Sequence, residues 1–160
     1  EVFGIFKAYC TRVGSGPFPT ELLGESGDAL RKQGNEFGAT TGRPRRCGWL
    51  DIPALKYATM LNGVTQLFMM KVDILSNLGD IMVCDSYAHQ GKNIDEFTAD
   101  FDDDWSTNLK KFPSWSDHAF SKYDEFPVEL RNYISHIEGR TNVPINLVSI
   151  GPERDRTIIK

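Results

Sequence analysis

Apolar positions along this chain fall into short runs separated by glycine, proline and polar clusters, and the spacing switches between strand-like and helix-like. Residues 2–11 are apolar and rich in strand-favouring types, predicting a buried strand that delivers an irregular loop over 12–20, broken by Gly14, Gly16, Pro17 and Pro19. Ser26 precedes a short helix expected over 27–33 and ended by Gly34. Asp51 is a good cap for a helix over 52–61, with Pro53 in the first turn and Asn62-Gly63 as the stop. Residues 64–70 and 81–87 read as further strands, the second followed by a turn over 90–93. Pro127 opens a helix whose Leu130, Tyr133, Ile134 and Ile137 share one face, ending near Gly139. Strands are expected over 145–150 and 156–160. Strands alternating with helices predict an α/β fold with a substantially parallel sheet, and neither a repeat nor a linker divides the chain.

With 160 residues, 40% hydrophobic and 25% charged, the chain is the size of one domain with a real core. A net charge of -4 supplies no global field to recruit nucleic acid. No apolar run approaches the roughly 20 residues of a membrane span, and the start EVFGIFKAYC has neither an initiator Met nor a signal-peptide layout. Cys10, Cys47 and Cys84 are odd in number and widely spaced, which fits reduced thiols and a cytoplasmic location better than a disulfide framework.

Residues 38–51, GATTGRPRRCGWLD, concentrate the groups that hold an anionic small molecule. Thr40 and Thr41 offer hydroxyls, Gly38 and Gly42 permit close backbone approach, and Arg43, Arg45 and Arg46 offer forked cationic donors. Pro44 fixes its own φ and biases its predecessor toward extended backbone, so Arg43 and Arg45 are expected to project from a semi-rigid loop. By charge pattern alone a solvated basic turn would be favoured; the flanking glycines, the paired threonines and the Trp49-Leu50 anchor reverse that reading. Met70-Lys71-Val72-Asp73 follows a predicted strand, where ligands of open α/β sheets sit. A carboxylate there can accept from the N1–H and exocyclic amine of guanine while a lysine stem packs on the base; a surface Lys beside a capping Asp is the plainer alternative.

The segment GNEFGATTGRPRRCGWLD, with TRVGSGPFPTEL upstream and KVD downstream, closely resembles the adenylosuccinate synthetase family, whose members use GTP to join L-aspartate to IMP. The resemblance runs from Gly4 to about Thr157. It implies an α/β chain forming the carboxy-terminal part of a P-loop-like fold, with a largely parallel central sheet and flanking helices. The family's amino-terminal phosphate loop, acidic base and histidine have no counterpart here, since no GxxxxGK followed by Ser or Thr occurs. Residues 1–160 are therefore expected to form the carboxy-terminal part of a longer chain and to be inactive alone.

Residue by residue, the resemblance assigns aspartate binding to Ala39, Thr40, Thr41, Gly42, Arg43, Pro44 and Arg45. It assigns IMP contacts to Val13 and Arg43, and GTP contacts to Arg45, Lys71, Val72, Asp73, Ser149, Ile150 and Gly151. Members usually carry Thr at the position of Met70, which removes a hydroxyl but neither guanine-reading group. Mg2+ is implied, with ligands outside this chain, and so is a cytoplasmic homodimer acting in purine biosynthesis without nucleic acid or membrane partners. A guanine-nucleotide-binding module without chemistry is the competing class; it would keep Lys71 and Asp73 but need no arginine loop.

Two further features are assigned structural roles. The acidic stretch 95–104 lacks the glycine and terminal glutamate of a calcium loop and reads as a solvated face, with Lys110 and Lys111 as available partners. Trp105, Phe112 and Trp115 read as core anchors. His89, His118 and His136 fall in no evident constellation with a nucleophile or carboxylate pair.

Overall fold

A computed structural model describes residues 1–116 and 120–160. The expected first strand is two, β1 (Phe3–Lys7) and β2 (Cys10–Arg12), because the chain bends at the buried Ala8 and Tyr9. Helix α1 (Glu25–Gln33) begins ahead of the expected Gly27: its cap is Gly24, no side chain caps it, and Glu25 and Asp28 complement the positive end of its dipole. Strand β3 (Arg46–Gly48) pairs antiparallel with β2, and β4 (Leu50–Asp51) leads into α2 (Ile52–Asn62). That helix begins and ends as its sequence predicts: the Asp51 carboxylate accepts from the Ala54 N–H at 3.0 Å, and Gly63 adopts φ 59°. Strand β5 (Gln66–Met70) follows.

Next come β6 (Asp80–His89), β7 (Lys92–Ile94) and β8 (Trp105–Pro113). Helix α3 (Val128–Thr141) runs past Gly139 and stops at Asn142, which takes φ 55° and donates its N–H to the Glu138 carbonyl. The chain closes with β9 (Ile145–Ser149) and β10 (Thr157–Ile159).

The main sheet has the order β1-β5-β9-β10, with β1, β5 and β9 parallel and β10 antiparallel. A second sheet runs β4-β6-β7 with β8 also on β6; there only β4 and β6 are parallel. The long β6–β8 ladder has no clear period in its sequence, WSTNLKKFP, where polar residues occupy most positions. The predicted face of α3 is buried: Leu130, Tyr133, Ile134 and Ile137 pack into a core that also takes Phe112 and Trp115. Each such side chain contributes about 1.5 to 3 kcal/mol by leaving water. Trp105 is only partly buried and stacks on His89 with centroids 4.3 Å apart.

The acidic stretch lies in irregular backbone, but its cationic partner is Arg140, which meets Asp95 at 3.1 Å. Lys111 instead pairs with Asp80, and Lys110 meets the His136 ring. All three cysteines are free thiols. No helix among the described residues is long and apolar enough to cross a membrane.

Candidate functional site

The parallel strands end side by side. Lys7 closes β1 in register with Met70 of β5, and Met69 is in register with Val148, one residue before Ser149 closes β9. Beyond these carboxyl ends lies a cleft of about 920 Å³ lined by Lys7, Gly34, Lys71, Asp73, Ser149 and Gly151, among others. That is the position the topology of an open α/β sheet provides for a ligand.

Lys71 leaves β5 in the left-handed conformation, φ 63° and ψ 36°, which costs a non-glycine residue roughly 1 to 2 kcal/mol. The reversal sends its ammonium inward, to the Gly34 carbonyl at 2.7 Å and the Glu36 carboxylate at 2.9 Å. Asp73 sits inside the following 3-10 turn, Val72–Leu75, whose cap residue is Lys71, and its carbonyl accepts from the Ser76 N–H at 3.1 Å. Val72 and Ile150 turn their side chains into the core. The Ile150 N–H donates to the Arg156 carbonyl at 2.9 Å, and the Ser149 hydroxyl donates to the Gly151 carbonyl at 2.9 Å.

The arginine-rich loop is a hairpin and not an extended arm. Phe37 bridges Pro44, the Gly38 N–H donates to the Arg43 carbonyl at 2.8 Å, and the Gly42 N–H donates to the Gly38 carbonyl at 2.9 Å. Gly42 takes φ 65°, a turn that a side chain would strain. The tip, Ala39 to Gly42, is exposed or nearly so, as is Arg43.

The three arginines divide their duties. Arg43 points outward and pairs with no carboxylate among the described residues. Arg45 turns back to Glu36, at 2.7 Å, where outward projection was expected. Arg46 bonds both Glu21 oxygens and the carbonyls of Gly14 and Gly16, strapping down the loop after β2. Val13 begins that strapped loop and is 68% exposed.

Both halves meet at Glu36, whose side chain is 0% exposed. It accepts from Lys7, Tyr9, Arg45 and Lys71, at 2.8, 2.6, 2.7 and 2.9 Å. Burial alone would push this carboxyl up, but the donated bonds from Lys7, Tyr9, Lys71 and Arg45 outweigh it and hold the group at about 2, against an ordinary 4.5. Burial and the adjoining carboxylate push the Tyr9 phenol far above its ordinary range, so it stays a donor. Gly34 is required for this packing, since a Cβ there would lie 2.3 Å from the Tyr9 hydroxyl oxygen.

The family described as adenylosuccinate synthetase matches residues 1–158. The chain belongs to that family. It is 53% identical to adenylosuccinate synthetase of Flavobacterium johnsoniae and 52% identical to that of Cytophaga hutchinsonii, in each case over the whole of this chain and 38% of the relative. It is thus similar to a little over a third of each of these proteins. The solved structure of fully ligated adenylosuccinate synthetase from Plasmodium falciparum superposes with a TM-score of 0.90 at 36% identity, covering 99% of this chain and 39% of the other. The α/β architecture is that of the adenylosuccinate synthetases, a P-loop-like fold.

Within this adenylosuccinate synthetase segment, sequence reasoning overlooked Glu36, although it stands inside the very string that carries the resemblance. Two other groupings also form only in space. His136 meets Asp85 at 2.7 Å, and burial lowers its proton affinity despite that carboxylate. Ligand atoms of His89, Asp102 and Asp104 lie within 4.8 Å of one another, away from the cleft lining. His118 lies outside the described residues.

Proposed function

We propose that this chain is the carboxy-terminal portion of a GTP-dependent ligase that joins L-aspartate to IMP, giving adenylosuccinate, GDP and phosphate for AMP biosynthesis. The observation that supports this most directly is the pairing of a cleft at the carboxyl ends of parallel strands with an arginine hairpin, joined through one buried carboxylate. A nucleotide-binding module without chemistry needs the first and has no use for the second.

In this reading the γ-phosphoryl of GTP passes to the oxygen on C6 of IMP. The aspartate amine then attacks that carbon, forming the C–N bond as the C–O bond breaks and phosphate leaves. The residues of this chain act by position and charge. The hairpin tip, Ala39 to Pro44, holds aspartate, with Arg43 bridging its carboxylate and the IMP ribose. Arg45 lies between aspartate and GTP, and Val13 meets the ribose through its backbone. Lys71, Val72 and Asp73 hold guanine from one side of the cleft and the 149–151 turn from the other. The Ile150 amide is already engaged by Arg156, so this turn would contribute through Ser149 and Gly151.

Mg2+ does not fit the described lining of the cleft. A hard cation needs a set of oxygen ligands, and here Asp73 and Glu153 stand among Lys7, Lys71 and Arg154. Its ligands belong elsewhere in the full enzyme.

The test is adenylosuccinate formation from GTP, IMP and L-aspartate by the complete polypeptide that carries this segment, with residues 1–160 alone as the inactive control. Nucleotide binding without product formation by the complete polypeptide would leave the binding-module reading standing in its place.

A further inference from the structure

Glu36 is held from both ends before its side chain is considered: its N–H donates to the Arg31 carbonyl at 2.8 Å, and its carbonyl accepts from the Arg45 N–H at 2.9 Å. Its carboxylate then gathers three cations from three distant segments. Lys7 bridges both oxygens at 2.8 and 3.0 Å, Lys71 binds Oε1, and Arg45 binds Oε2, while Tyr9 also donates to Oε1. An ion cluster of this kind is weak evidence for stability, because desolvation offsets most of the attraction, and well-packed apolar groups of the same volume often serve as well. What a carboxylate supplies and an apolar group cannot is direction. Its two oxygens set the angle between the Arg45 fork and the Lys71 ammonium. One negative charge against three positive ones also leaves the cluster with surplus positive charge beside a cleft proposed to take a polyanion.

We infer that Glu36 is a positioning residue that fixes Arg45 and Lys71 relative to one another, so that the aspartate loop and the guanine side of the site share one support. This rests on the function proposed above. Glu36 touches no substrate; it acts through the two cations and through Lys7, which orients the carboxylate from the end of β1. A change at Glu36 therefore disturbs two substrates that bind different elements and leaves the third, IMP, largely alone.

The test is steady-state kinetics of Glu36→Gln in the complete polypeptide. Glutamine keeps the shape but replaces one acceptor oxygen with an amine that faces a cation, whichever way it is flipped. The KM values for aspartate and GTP are expected to rise together, on the order of tenfold, with the KM for IMP changed by less than about threefold. Glu36→Asp, which keeps the charge on a shorter stem, is expected to fall between the two and carries the same test if the Gln variant does not fold. In an Arg45→Met background the Glu36→Gln effect on the aspartate KM should largely vanish, because the group it acts through is gone. A lowered melting temperature with all three KM values unchanged would assign Glu36 a structural role and overturn the inference, as would a rise confined to one substrate. If the unsubstituted polypeptide makes adenylosuccinate and the variants fail these expectations, the inference alone falls. If the unsubstituted polypeptide makes none, the functional reading falls and takes the inference with it.

Discussion

Arg46 grips Glu21 through two N–H···O bonds of 2.8 and 2.5 Å, whereas Arg43, three positions earlier on the same hairpin, meets no carboxylate among the described residues. The pairing lowers the proton affinity of Glu21 and raises that of Arg46, each mainly through their shared hydrogen bond. Arg46→Leu is expected to cost stability, about 1.5 to 3 kcal/mol for a charged, partly buried fork. Chemical denaturation of the complete polypeptide measures it, and a shift below about 0.5 kcal/mol would show that the strap is dispensable.

Arg43→Leu should do the opposite. It removes an exposed guanidinium that supports nothing else, so the melting temperature should hold while the aspartate term weakens roughly ten- to a hundredfold, the worth of a charge-assisted bond. Guanine binding should change little. An unchanged KM for aspartate together with an unchanged kcat would give the hairpin another role.

Asp73 is proposed to read guanine as an acceptor-only group. Asp73→Asn offers one acceptor and one donor, which suits xanthine, whose C2 bears an oxygen where guanine has an amine. The ratio of kcat/KM for GTP to that for XTP should swing toward XTP by about 1 to 3 kcal/mol, and the aspartate KM should stay put. A constant ratio in a variant with a normal melting curve would remove Asp73 from base recognition.

Acid should expose the charge on Glu36. Its carboxyl is held at about 2 when folded against an ordinary 4.5, so it is depressed in the native state. Its stabilisation is complete above pH 4.5 and is lost as pH falls toward 2, by roughly 3 kcal/mol across that window. The difference in denaturation midpoint between the unsubstituted protein and Glu36→Gln should therefore shrink from pH 6 to pH 2. A difference that does not change with pH would mean that the buried group is not ionised. Asp51, which burial raises despite bonds from Ala54 and Tyr87, runs the other way, but it is common to both proteins and cancels in the comparison.

Tyr87→Phe tests that second buried carboxylate. The Tyr87 hydroxyl lies 2.7 and 2.8 Å from the two Asp51 oxygens, and its loss leaves that carboxylate the Ala54 N–H at 3.0 Å. A cost of about 1 to 3 kcal/mol is expected, with KM values unmoved because neither residue lines the cleft. A neutral substitution would show that water can take the place of the hydroxyl.

The sequence by itself determined whatever is local. Helix α2 is legible because Asp51, Pro53 and Gly63 act on backbone within a turn of themselves, and α3 because its apolar spacing presents one face whatever it packs against. The place of Lys71 and Asp73, just beyond a strand and beside a cleft, was legible because the carboxyl end of a parallel strand is where such sheets leave room for a ligand. Tertiary structure decided what depends on partners far along the chain. Strand β8 carries little pattern of its own and exists by pairing with β6. Arg43, Arg45 and Arg46 are one residue type in one short string, and only the arrival of Glu36 and Glu21 separates a free fork from a tethered one and a strap. Glu36 itself looks like an ordinary surface glutamate until β1, β5 and the hairpin bring it Lys7, Lys71 and Arg45. A buried charge is stable only in such company, and no local pattern of residues encodes that company.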